Sequence, residues 1–321
     1  MSIAAKFLAV TVALGAAFAT AVATEIPAWA FAVVDSVAAP APDDGTAKHV
    51  PGSTVALTRA QITAVESVVP DWHPDEHPAM PAIVGVGRAP KAYACGYCHL
   101  PNGAGRPENT SLAGLPPAYI KQQVIAFRNG ERPGSESRRA PQAIMINAAK
   151  SVTDAELDEA AAYFSSLKPA TFVKVIEVAT VPKTVVAGWT LIPAPGGGTE
   201  PIRNRIIEMP DDFERFELRD SRTPYVAYVP VGSLQRGADL VTTGAGGKTQ
   251  VCAMCHGPEL RGLLDVPRLA GRSPSFLMRQ LFDLKHHKRT GGISALMQPV
   301  VAHLTEEDMV AIVAYLASLE P

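Results

Sequence analysis

All four cysteines of this 321-residue chain fall in two five-residue motifs, Cys95-Gly96-Tyr97-Cys98-His99 and Cys252-Ala253-Met254-Cys255-His256. Two thiols separated by two residues and followed at once by histidine form the C-x-x-C-H pattern of haem c attachment. Thiols at this spacing can add to the two vinyl groups of one haem, and the adjoining imidazole then faces the iron as proximal ligand. Cys95, Cys98, Cys252 and Cys255 are therefore cofactor-binding residues, His99 and His256 are metal ligands, and two covalently bound haem c groups are expected. Other uses of a C-x-x-C pair compete. Structural zinc usually wants two ligand pairs brought together, and a redox dithiol sits in a strand–helix context missing from these flanks. Four cysteines in an exported chain also suggest two disulfides, but their positions argue otherwise.

The residues after the motifs repeat. With His99 set on His256, Leu112-Ala113-Gly114 falls on Leu269-Ala270-Gly271, Tyr119 on Phe276, Gln123 on Gln280 and Arg132 on Arg289, all at an offset of 157. Further on the offset drops to 152, where Thr153 meets Thr305, Leu157 meets Met309, Tyr163 meets Tyr315 and Ser166-Leu167 meets Ser318-Leu319. The chain thus holds two copies of one unit of roughly 80 residues.

A haem that transfers electrons needs a second axial ligand, commonly methionine, which favours reduced iron. Between His99 and the end of the first repeat the only methionine is Met145, and there is no histidine. The offset of 152 carries Met145 onto Met297. The second repeat also offers Met278, Met309, His286, His287 and His303, but none of these has a methionine or histidine counterpart in the first repeat. Met145 and Met297 are the sixth ligands that the repeat supports. Each proximal histidine should give its other ring N–H to a carbonyl; Pro267 is placed to accept in the second repeat, and the backbone of Thr110 in the first. Arg132 and Arg289 recur at one position, where they either neutralise haem propionates or remain solvated.

Each repeat reads as helical. Pro117 to Asn129 and Pro274 to Lys285 carry apolar residues at helical spacing, and Thr153 to Glu156 and Thr305 to Asp308 are capping boxes that open amphipathic runs. Leu234 to Thr243 predicts a helix ahead of the second motif, whereas the first is preceded by the Pro-rich stretch from Asp71 to Pro90. Between the repeats, Phe172 to Ala179, Trp189 to Ile192, Arg205 to Met209 and Tyr225 to Val229 are strand-like. The domains expected are a signal peptide at 1–23, an N-terminal extension at 24–80 with a modest helix near Thr58 to Ser67, haem domains at 81–169 and 233–321, and a β-rich linker module at 170–232. The module reads as a spacer between the haem domains, with partner docking as the weaker alternative.

Lys6, the apolar run Phe7 to Ala19 and the small-x-small Ala21-Val22-Ala23 read as an export signal cleaved after Ala23. That apolar run is shorter than the ~20 residues that span a bilayer. The formal net charge is −2, so no basic field favours nucleic acid.

On these motifs the repeats resemble tandem dihaem class I cytochromes c of the c4-type group. The resemblance rests on Cys95 to His99, Leu112-Ala113-Gly114, Met145 and Tyr163 with their counterparts, and covers about half of the chain. It implies a mainly α fold, here two class I cytochrome c domains in tandem joined by a small β-rich insert, with His/Met ligation of each haem. The insert and the long extension depart from the group; they put in doubt the direct haem-to-haem contact expected of its shorter members and point to a different partner. The function implied is not enzymatic: a periplasmic carrier moves electrons between a dehydrogenase or membrane complex and a downstream acceptor such as a terminal oxidase. Its partners would be redox proteins, with peripheral association with a membrane complex as one option. The alternatives are an electron-accepting subunit of an exported dehydrogenase, or a dihaem peroxidase. A peroxidase needs one displaceable distal position, and both repeats offer methionine there.

Overall fold

The computed structural model describes residues 25–34 and 43–321, so the export-signal reading of residues 1–23 lies outside the described residues. Among the described residues no helix is long and apolar enough to cross a membrane.

The haem repeats are helical for reasons visible in their termini. Pro117 and Pro274 open the helices Pro117–Arg128 and Pro274–Lys285 at the position where a missing N–H costs nothing. Thr153 and Thr305 close reciprocal capping boxes with Glu156 and Asp308, starting Asp154–Ser166 and Glu306–Ser318. The last helix of the first repeat buries Leu157, Ala160, Ala161 and Phe164, and that of the second buries Met309, Ile312, Val313 and Leu316. In the second repeat Ser233–Thr243 crosses Glu306–Ser318 so closely that a Cβ on Gly237 would lie 2.1 Å from the Ala311 carbonyl oxygen. Only glycine fits there. The first repeat replaces that long helix with a single turn, Ala82–Gly85, whose Ile83 and Val84 join Leu115, Tyr119, Ile120 and Phe164 in one core.

Two elements depart from the sequence reading. The helix Ala140–Ser151 has no side-chain cap hydrogen bond at its start, and Pro141 in its first turn is the one mark of its N-terminus. The helix near Thr58 shrinks to Arg59–Thr63 because Ala64 already leaves the helical region.

Between the repeats, Tyr225–Pro230 is the central strand of a three-stranded sheet, parallel to Val173–Val178 and antiparallel to Ile207–Pro210. Thr184–Ala187 pairs with Thr190–Pro193, and Thr180–Pro182 with Thr199–Pro201. Along the central strand burial alternates, and Tyr225, Ala227 and Val229 enter the same core as Leu240, Val241, Met309 and Val313 of the second repeat. This sheet therefore packs as part of the second repeat's core.

The extension covers the first motif. Val65 and Val69 pack on Ala94 and Tyr97, and Trp72 joins Val50, Ile62 and Leu218 in a small core. Trp72 Nε1 donates to the Leu218 carbonyl at 2.7 Å, and His73 Nε2 lies 3.1 Å from the Asp220 carboxylate.

The two repeats meet directly. Arg132 donates to Gln123 Oε1 of its own repeat at 3.0 Å and to Gln280 Oε1 of the other at 2.8 Å. Arg289 mirrors it, donating to Gln280 Oε1 at 3.1 Å and to Gln123 Oε1 at 2.9 Å. Arginines and glutamines at matching repeat positions thus form a pseudo-two-fold interface of the isologous kind.

Candidate functional site

Each C-x-x-C-H motif winds into one turn of helix, Cys95–His99 and Ala253–His256, the second with Cys252 as its N-cap. The turns stop where the chain enters positive φ, at Leu100 and at Gly257. The chain then loops back to meet the histidine. His99 Nδ1 lies 2.9 Å from the Thr110 carbonyl oxygen, and His256 Nδ1 lies 2.8 Å from that of Pro267. A carbonyl only accepts, so each Nδ1 carries the proton and each Nε2 keeps its lone pair. Burial pushes both imidazoles below their usual pKa, against the pull of the carbonyl, and for His256 the Arg272 and Arg289 charges push the same way. Two neutral imidazoles result, each fixed in the tautomer that suits a metal at Nε2.

The thiols do not resemble those of a redox dithiol. All four cysteines are unpaired. Burial pushes Cys95 up to about 12 and Cys252 up to about 11, opposite to the depressed thiolates of redox dithiols. Among the described residues no three His, Cys, Asp or Glu side chains cluster as a metal-binding group.

Met145 stands mid-way along Ala140–Ser151, half-buried against Val124, Phe127, Ala149 and Leu157. Met297 ends the 3-10 turn Gly292–Met297 and packs at the edge of the second core. The residues just before them, Ile144 and Leu296, are 37% and 72% exposed. Met278 and Met309 are fully buried core residues.

The arginines gather at the junction. Beyond the Arg132–Arg289 pair, Arg268 donates to Ser111 Oγ at 3.0 Å, and Arg272 donates to the Ser111 carbonyl at 3.2 Å and to Thr110 Oγ1. Burial pushes Arg132 down to about 9 and Arg268 likewise to about 9, each reinforced by a neighbouring arginine. The buried Nε atoms of Arg139, Arg268, Arg272 and Arg289 have no hydrogen-bond partner within the protein.

A family model described as cytochrome c matches residues 235–320. Cytochrome c4 of Azotobacter vinelandii is 27% identical over 248 residues, spanning 76% of this chain and 91% of that one. The thiosulfate dehydrogenase electron acceptor of Thiomonas intermedia (strain K12) is 25% identical over 232 residues, spanning 71% and 80%. Cytochrome c-554(548) of Halomonas halodenitrificans is 36% identical over 74 residues, 23% of this chain and 89% of that one. The chain belongs to the cytochrome c family.

It is a dihaem, c4-type electron-transfer cytochrome of mainly α fold, with two covalently bound haem c groups. Its residues fit that cofactor. Paired thiols precede each histidine, and each imidazole has Nδ1 on a carbonyl so that Nε2 is left for a metal. The unpartnered guanidinium nitrogens of this cytochrome suit anionic propionates.

Sequence reasoning named the histidines, their carbonyl partners and the Arg132–Arg289 pair. It missed Gln123 and Gln280 as the acceptors that hold those arginines, although both stand out in the repeat. It also missed Arg268 and Arg272, which have no arginine counterpart in the first repeat.

Proposed function

We propose that this cytochrome is an exported, periplasmic carrier of single electrons between a dehydrogenase or membrane complex and a downstream acceptor such as a terminal oxidase. His99 and Met145 are the axial ligands of the first haem, and His256 and Met297 those of the second. The haem units span 81–169 and 233–321, with 24–80 and 170–232 packed around them. The supporting observation is the matched setting of the two histidines, each with Nδ1 on a carbonyl and Nε2 free, together with a methionine at one repeat position in both units. Six-coordinate iron in both units leaves no open position for substrate.

Bound haem iron supplies a one-electron couple, and the chain sets its terms. A neutral thioether and an apolar pocket penalise the extra charge of ferric iron, so a moderately high potential is expected. The carbonyls of Thr110 and Pro267 fix the imidazole rings and raise their basicity. Arg132 and Arg289, each held on two glutamine carbonyls and free of any carboxylate within ion-pair reach among the described residues, are suited to neutralise propionates.

A second reading has one observation in its favour: the Thiomonas relative is named as the electron acceptor of a thiosulfate dehydrogenase. For this chain the role would be the electron-accepting subunit of an exported dehydrogenase, and co-purification with such an enzyme would favour it. Visible spectra and redox titrations of Met145→Ala and Met297→Ala test the ligand assignment. Each variant should lose low-spin character and the methionine–iron charge-transfer band at one haem of the two. An unchanged spectrum in either variant removes that methionine from the scheme.

A further inference from the structure

The two C-x-x-C-H turns differ in what lies over them. On the first, the guanidinium of Arg219 stacks on the Tyr97 ring, 3.6 Å from its centroid, and Nη1 donates to the Tyr97 carbonyl at 2.6 Å. Tyr97 lies between the two cysteines, so a cation from the 170–232 segment rests on the loop that tethers the first haem. Arg106 is buried nearby and is paired with the equally buried Glu108 at 2.8 Å. Arg219 has no carboxylate within ion-pair distance among the described residues. Its guanidinium is half-buried with no such partner, and burial and Arg106 push its pKa down while the Glu108 carboxylate acts the other way.

The backbone is built to aim it. Arg219 has φ of 59°, a left-handed conformation that a residue with a Cβ adopts at a cost. Its neighbours hold it there on both sides. The Leu218 carbonyl accepts from Trp72 Nε1, and the Asp220 carboxylate is gripped by His73 and by Arg215 at 2.7 Å. In the second repeat the position of Tyr97 is taken by Met254, which is 72% exposed and carries no stacked arginine.

We propose that Arg219 is a potential-setting residue for the first haem alone. A half-buried cation stacked on the haem tether stabilises the iron with the added electron, so it raises the first haem's reduction potential. The equivalent position of the second haem is the exposed Met254; the cations that reach His256, Arg272 and Arg289, lie at the repeat junction and not on the haem tether. This gives the 170–232 segment a role in the electron-transfer reading beyond spacing. The inference rests on haem being attached at the first motif, and not on which methionine closes the iron.

The test is spectroelectrochemical titration of the intact dihaem protein, with pyridine haemochrome assay to count haems. Arg219→Gly is the chief variant, because glycine suits φ of 59° and the turn should survive. Arg219→Lys keeps the charge. A Cys95→Ala background, which leaves one vinyl group unreacted and reddens the first haem's α band, tells the two haems apart. In Arg219→Gly the first haem should become about tenfold harder to reduce, about 59 mV for a one-electron couple, while the second stays put. Arg219→Lys should retain most of the native value. Two haems per chain with an unmoved first potential overturn the inference, as does an equal shift of both or a lysine variant as low as glycine. A haem count of one in the native chain would instead remove the reading it stands on.

Discussion

Single side chains decide how rigidly the first motif is held. Trp72 is 2% exposed, and its indole N–H makes a buried hydrogen bond to a carbonyl 146 residues away in sequence. Replacing it with phenylalanine orphans that carbonyl and shrinks the packed ring. Trp72→Phe should therefore cost about 1–3 kcal/mol in chemical denaturation; an unchanged midpoint would mean that the extension does not brace the Leu218 turn. The histidines and cysteines were legible in the sequence because covalent haem attachment demands fixed neighbours along the chain. Arg219 was not. Its importance comes from Tyr97, 122 residues away in sequence, and no local spacing records such a meeting.

Among the elements, the C-terminal helix Glu306–Ser318 shows how caps and charges combine. Asp308 accepts from the Thr305 backbone N–H at 2.8 Å, and its carboxylate also receives Arg236 at 2.8 Å and Lys248 at 2.5 Å. Burial alone would raise its pKa, but the hydrogen bonds from Lys248, Arg236 and Thr305 outweigh it and hold the carboxyl well below its ordinary 3.8. A depressed folded-state pKa gives stability that is complete above the unfolded value and is lost as pH falls through the folded one. Asp308→Asn should thus cost about 1–3 kcal/mol at pH 7, towards the lower end because both cations are partly exposed. The gap to the native chain should narrow below about pH 4. Denaturant curves at pH 7 and at pH 3 measure both; a pH-independent gap would leave only the cap. The capping box and amphipathic run made this helix readable beforehand. Ala140–Ser151 was unreadable by the same logic, since Arg139 offers no cap and few of its side chains are buried.

At the scale of the whole molecule, the repeat foretold two like units and the strand-like runs foretold the sheet, but neither told which faces would touch. That needed the Arg132–Gln280 and Arg289–Gln123 contacts; the repeat marks all four residues but does not say that they cross from one unit to the other. Because each glutamine serves both arginines, Gln123→Ala and Gln280→Ala should not be additive. A double-mutant cycle on unfolding free energy should return a coupling of about 0.5 kcal/mol or more, and strict additivity would show that the junction is held elsewhere. The mirrored pattern also limits how the units can slide. Each arginine bridges a glutamine of its own unit and one of the other, so a shift of one unit along the other breaks both cross-contacts at once, and the junction fixes the relative placement of the two histidine motifs.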